Sequence, residues 1–208
     1  QISKKMSHIT FSGPTGTTRL GTFETKTSGM GGVNIGGLFK LYETAQSRQH
    51  INAGLSIPTG SIQKQGSILT PMNARPRVRL PYPMQLGSGT FDLTMGLTHA
   101  RKWETWGWGS QWMSFMRLNK NTEDYSLGNE HKFNTWLSYQ LSDRLSVSTR
   151  ATLMYQGEIK GRDQTIIAPI QTADPDRHGG QRLDIAFGLN AVLPTKRVRI
   201  AMEILTPP

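Results

Sequence analysis

GGVNIGGLFKLYE, residues 31–43, places Val33, Ile35, Phe39 and Leu41 on one parity and Gly32, Asn34, Gly36, Lys40 and Tyr42 on the other. Side chains two apart share a face of an extended strand, so the segment predicts a strand with one apolar and one polar face. The same alternation returns in about eight stretches along the chain. Residues 49–57 set Ile51, Ala53, Leu55 and Ile57 against Asn52, Gly54 and Ser56, and residues 90–99 set Phe91, Leu93, Met95 and Leu97 against Thr90, Asp92, Thr94 and Gly96. Residues 131–141, 145–156, 183–193 and 197–206 carry further strands. Residues 106–118 read both ways, with Trp106, Trp108, Trp112 and Met116 on one parity and Met113 and Phe115 on the other. We take the tryptophan parity as the outward, lipid-facing one, which turns Gln111 and Arg117 inward.

The connectors set the architecture. Those near 44–48, 100–105, 142–143 and 194–196 are short, whereas 8–27, 58–89, 119–130 and 158–180 are long. In an up-and-down meander alternate connectors share a rim, so short turns collect at one end and long loops at the other, as in outer-membrane barrels. The sequence therefore predicts an all-β, transmembrane antiparallel up-and-down β-barrel occupying residues 1–208 as a single domain. Residues 1–7 read as the tail of a strand, 8–27 as a loop with a turn at Gly13-Pro14, and 28–43 as one long strand. A strand cut off at Gln1 and an end at Pro207-Pro208 predict a barrel that lacks terminal strands on both sides, because an open edge cannot persist in lipid. A soluble sandwich or a barrel with its apolar face inward is the competing architecture. Strand lengths at or above the roughly 9–11 residues of a bilayer crossing, and Trp103, Trp106 and Trp108 flanking one short turn, favour the membrane reading.

Composition agrees. Hydrophobic residues make up 36% of the 208 and mean hydropathy is −0.44. With no apolar run near the roughly 20 residues a spanning helix needs, helical membrane insertion is excluded, while a barrel exposes only alternate residues to lipid. The chain has no cysteine, which rules out disulfides and thiolate chemistry. Its formal charge of +10 is dispersed, with no nucleic-acid-binding motif, so no nucleic-acid partner is expected. Connector 58–89 holds Lys64, Arg75, Arg77 and Arg79 and no acid; these are solvated loop charges or an attraction for anionic lipid or solute.

No catalytic constellation stands out, and the five histidines show no metal-ligand spacing. No catalytic, cofactor or metal site is expected; Asp174 and Asp176 flank Pro175 at a spacing that could contribute to a calcium site, but a Pro-containing turn with solvated aspartates is the favoured reading. Inward charges carry the functional expectation. Lys40, Asp92, Arg117, Arg150, Asp184, Arg199 and Glu203 fall on the polar parity and are candidate lumen-lining residues. They line a conduit or form a salt-bridged plug.

Four blocks, Ser12-Gly13-Pro14-Thr15-Gly16-Thr17, Leu55-Ser56-Ile57-Pro58-Thr59-Gly60-Ser61, Leu80–Thr90 (LPYPMQLGSGT) and Thr172-Ala173-Asp174-Pro175-Asp176, resemble the bacterial meta-pathway phenol-degradation family of predicted outer-membrane transporters. The resemblance covers nearly the whole chain, and the Leu80–Thr90 block is its most specific part. It implies a Gram-negative outer-membrane barrel of 12 strands, contacting lipid and lipopolysaccharide and passing small, including aromatic, solutes. The chain departs from the family's pattern at Met95-Gly96, where relatives have Pro-Gly, and no binding residue carries over. A second functional expectation is a structural barrel whose loop 58–89 binds a protein partner in a surface assembly, since Pro-rich segments cost less entropy to order.

Overall fold

A computed structural model describes residues 1–12, 16–193 and 198–206. In chain order its strands are β1 (Ile2–Ser12), β2 (Thr18–Gly29), β3 (Val33–Glu43), β4 (Ser47–Ile57), β5 (Gln65–Ser67), β6 (Arg77–Arg79) and β7 (Asp92–Lys102). They continue with β8 (Trp106–Arg117), β9 (Tyr125–Ser126), β10 (Glu130–Ser142), β11 (Leu145–Gln156), β12 (Lys160–Gly161), β13 (Gly180–Val192) and β14 (Arg199–Thr206). Single 3-10 turns cover Tyr82–Met84, Gln171–Ala173 and Pro175–Arg177.

Eight long strands form one antiparallel sheet in the order β14-β13-β11-β10-β8-β7-β4-β3. Within it strands that follow one another in the chain are neighbours, which is an up-and-down meander. The expected alternation of connectors is present: Thr44 N–H donates to the Ser47 carbonyl at 2.8 Å and Trp103 N–H to the Trp106 carbonyl at 2.7 Å, closing tight reversals at one end. All three long connectors within this sheet lie at the other end. β3 and β14 are the two ends of the sheet, and among the described residues no ladder joins them, so the meander is not closed into a barrel. The expected turns at Gly13-Pro14 and Pro194-Thr195-Lys196 and the end at Pro207-Pro208 lie outside the described residues.

Two expectations need correction. Residues 8–27, read as a loop, belong to a hairpin in which β1 and β2 pair from Ile2↔Gly29 to Ser12↔Thr18. Its strands are carried by threonine: Thr10, Thr25 and Thr27 are buried, and a β-branched side chain suits a strand although its hydroxyl hides it from a search for apolar alternation. Residues 28–43 are two strands, because the chain changes partner across Met30-Gly31-Gly32, from β1 to β4.

The hydrophobic core sits away from the eight-stranded sheet. Tyr82, Tyr125, Ile159, Ile166 and Ala173 pack together, with Leu127 and Ala168 against them, and all lie in the three long connectors. These connectors form a folded crown: β5 pairs with β6, and β9 with β12. Arg79 joins them electrostatically, with Glu123 at 3.4 Å and Asp163 at 3.6 Å. Asp163 N–H donates to the Tyr82 hydroxyl at 3.2 Å. Gly60 and Gly87 let two connector segments touch, since a Cβ on Gly60 would lie 2.7 Å from the Leu86 carbonyl oxygen. Leu86 N–H then reaches the Ser61 carbonyl at 2.9 Å. The crown also seats the β1–β2 hairpin, through Thr10 to the Leu69 carbonyl and Thr27 to the Met84 carbonyl, each 2.8 Å.

Candidate functional site

Directly opposed residues of antiparallel strands share a face, so the register assigns every paired side chain. From β3 to β14 one face carries Ile35, Leu55, Met95, Trp112, Phe133, Leu153, Phe187 and Met202 and their like. Among the described paired residues its one Asp, Glu, Lys or Arg is Arg101, at the short-turn end, where its guanidinium lies 5.1 Å from the Trp103 ring. The tryptophan parity of β8 is on this face, and Gln111, Met113, Phe115 and Arg117 are on the other, as expected. Two histidines on the apolar face are held by neighbours: His99 by Gln49 at 3.0 Å and His131 by Ser114 at 2.9 Å.

The polar face holds all seven residues expected in the lumen: Lys40, Asp92, Arg117, Arg150, Asp184, Arg199 and Glu203. They are brought onto one surface but not into one cluster; each finds a local partner. Lys40 pairs with Glu43 at 3.0 Å, Arg150 with Glu203 at 2.9 Å and Asp184 with Arg182 at 3.0 Å. Arg199 donates to the Asn190 side chain at 3.1 Å. Asp92 is the most enclosed, 5% exposed, and accepts from Arg117, from Ser88 at 2.9 Å and from Thr90. Asp92 therefore ties the end of connector 58–91 to the β7–β8 rim.

Sequence reading missed Glu130, because β10 begins one residue earlier than the alternation suggested, and passed over Lys132 on the polar parity of the expected strand; the two form an ion pair on this face. It also did not register how apolar parts of the polar face are. Trp136 lies across Gly109, where a Cβ would come 2.1 Å from the indole. A small residue opposite a large one was the available signal.

Two cavities occupy the polar face. One of about 750 Å³ lies toward the crown, bounded by Asn34, Asn52, Thr94 and Arg117 with Gly87 and Ser88. Another of about 520 Å³ lies toward the short turns, bounded by Arg48, Lys102, Trp136, Ser148 and Arg199. On the same face the paired side chains of Arg150 and Glu203 are 41% and 42% exposed.

Asp174, weighed as a calcium ligand, is engaged within the protein. It accepts from Asp176 N–H and from Arg177 Nε, each at 3.3 Å, and so caps the Pro175–Arg177 turn. Burial raises the Tyr82 and Tyr125 hydroxyls above the ordinary phenol range, keeping both neutral within the crown.

Comparison of the chain with protein-family models and with curated proteins finds no match.

Proposed function

We propose that the eight-stranded meander is the wall of a transmembrane β-barrel in a bacterial outer membrane, and that its polar face lines a passive route for small solutes, aromatic ones included. The observation that carries this reading is an inversion of the usual partition. Leu97, Trp112, Phe133 and Phe187, on the apolar face, are 48%, 43%, 46% and 58% exposed, while the buried apolar cluster lies in the loops. A contiguous apolar face of this extent calls for a covering medium, and in this reading hydrocarbon supplies it. Charge supports the assignment, since Arg or Lys on a lipid face costs about 2–4 kcal/mol at midplane, and among the described paired residues of this sheet every Arg or Lys but Arg101 is on the other face.

Aromatic placement fits too. Trp106 and Tyr139 lie together at one end of β8–β10, and Trp112, His131 and Tyr155 stack toward the other. Tyr139 and His131 are eight residues apart on β10, about 27 Å along the strand at 3.4 Å per residue, which after tilting approaches the roughly 25 Å apolar band of outer-membrane barrels. In such a membrane the β3 and β14 edges must both be paired, because unpaired backbone groups are not tolerated in hydrocarbon.

Solutes would diffuse past paired rather than isolated charges, which tune preference without binding tightly. Purified protein inserted into planar lipid bilayers is expected to conduct ions or small solutes; silent insertion overturns the proposal. A second reading, a partner-binding barrel, draws on the hairpin tip of connector 58–91. There Met72 is 90% exposed beside the exposed Arg75 and Arg77. Deleting residues 70–76 would abolish a surface complex and spare conductance if that reading holds.

A further inference from the structure

The β1–β2 hairpin and the crown enclose a cavity of another character. It measures about 270 Å³ and is bounded by the hairpin face carrying His8, Thr10 and Phe23, and by segments 68–71, 78–81 and 168–170. Leu69 and Leu80 form its floor and are 6% and 0% exposed. Phe11 and Ile170, both exposed, flank its opening.

Its polar groups are largely spent. Thr10 donates to the Leu69 carbonyl at 2.8 Å and Thr25 to the Met6 carbonyl at 3.5 Å. Pro71, Pro81 and Pro169 bring no N–H to the wall. His8 differs: it stacks on Phe23 at 4.9 Å and 18°, and among the described residues it makes no hydrogen bond. The charged residue in the wall, Arg79, is already held by Glu123 at 3.4 Å and Asp163 at 3.6 Å, so little is left to repay the desolvation of an ionised ligand, and the otherwise mostly apolar lining favours a neutral one. An apolar cavity of about 150 Å³ suffices for benzene, so this one has room for a ring with a substituent. A flat ring also matches the stacked pair, and the His8 imidazole can take one hydroxyl or carbonyl group.

We propose that this cavity binds a small, neutral, single-ring aromatic molecule. As a binding site it stands on the cavity alone; as the first station of a permeating solute it rests on the channel reading.

The test is carbene photolabelling of the full protein in phosphatidylcholine vesicles with 3-trifluoromethyl-3-phenyldiazirine, with inserted label mapped by peptide mass spectrometry. Label in segments 68–71 and 168–170 is expected to saturate and to fall at least tenfold with excess toluene. Label on the apolar face of the sheet, a matter of partition into lipid, should rise without saturation. Val78→Phe, which fills the cavity from a half-buried position, and Leu69→Trp, which fills it from the floor, should each remove the saturable loop label while circular dichroism shows the strands intact. His8→Leu should leave competition by toluene unchanged and weaken competition by benzyl alcohol at least threefold. Non-saturable loop label, or loop label unaffected by Val78→Phe in a folded protein, overturns the proposal. Conductance of the same preparations separates the two ideas: saturable label without conductance removes the channel and keeps the site, and conductance without saturable label does the reverse.

Discussion

Ile35 and Leu38 sit three residues apart on β3, are 65% and 63% exposed, and face opposite sides of the sheet. In water, arginine at either position would shift stability by no more than about 0.5 kcal/mol, the ordinary range for exposed sites. In a bilayer Ile35→Arg should cost about 2–4 kcal/mol and Leu38→Arg far less. Equilibrium refolding into lipid vesicles measures the difference, and equal costs would sink the membrane assignment. Asp92 and Arg117 pose a second question at this scale. Their side chains are 7% and 17% exposed, so Arg117→Met strands an enclosed carboxylate and should destabilise by about 3 kcal/mol. Restoring neutrality with Asp92→Asn in the same chain should recover much of that loss in denaturant titrations, because the penalty is the unpaired charge more than the missing contact. The alternation revealed that these two residues would share a face. Their pairing, and the Ser88 and Thr90 hydroxyls that complete the site, were not legible, since nothing local marks a loop hydroxyl as the partner of a strand carboxylate.

At the scale of elements, the crown and the β1–β2 hairpin separate what patterning shows from what it hides. Strands β7, β10 and β11 were readable because apolar side chains recur every second residue on a face that protein does not cover. The hairpin escaped because threonine alternates without apolar contrast. The crown escaped because Tyr82, Tyr125 and Ile166 lie in separate connectors, and their packing has no period at all. Burial raises both crown phenols, so the folded crown holds these protons more tightly than the unfolded chain does. The associated stability is complete below the ordinary phenol pKa of about 10 and is lost as pH climbs above it. Tyrosinate absorbance should therefore show two phenols ionising late, together with loosening of the connectors in hydrogen exchange. Tyr125→Phe should move that alkaline loosening to higher pH; an unchanged transition would place its origin elsewhere.

For the whole molecule, one sheet with a bare apolar face, a polar face laced with ion pairs and a packed crown at one end form an asymmetric object. The crown is joined to the polar face through Asp92, where the 750 Å³ cavity lies beneath Gly87 and Ser88. If solutes pass there, Asp92→Ala should free this connector and raise the rate of current fluctuation in single-channel records, with the mean conductance unchanged or larger. Smooth traces identical to the parent protein would show that the latch does not gate.

The sequence by itself determined most strands of the eight-stranded sheet, the two parities of nearly all of them and the end at which long connectors gather. These are local properties, set by a side-chain period of two and by turn residues, and they survive in any arrangement of the strands. Only the tertiary structure decided which charges meet, where the apolar core forms, that the hairpin caps a cavity, and that the described sheet stays open between β3 and β14. Those outcomes depend on segments far apart in the chain approaching within a few ångströms, and such approach leaves no periodic trace in the order of the residues.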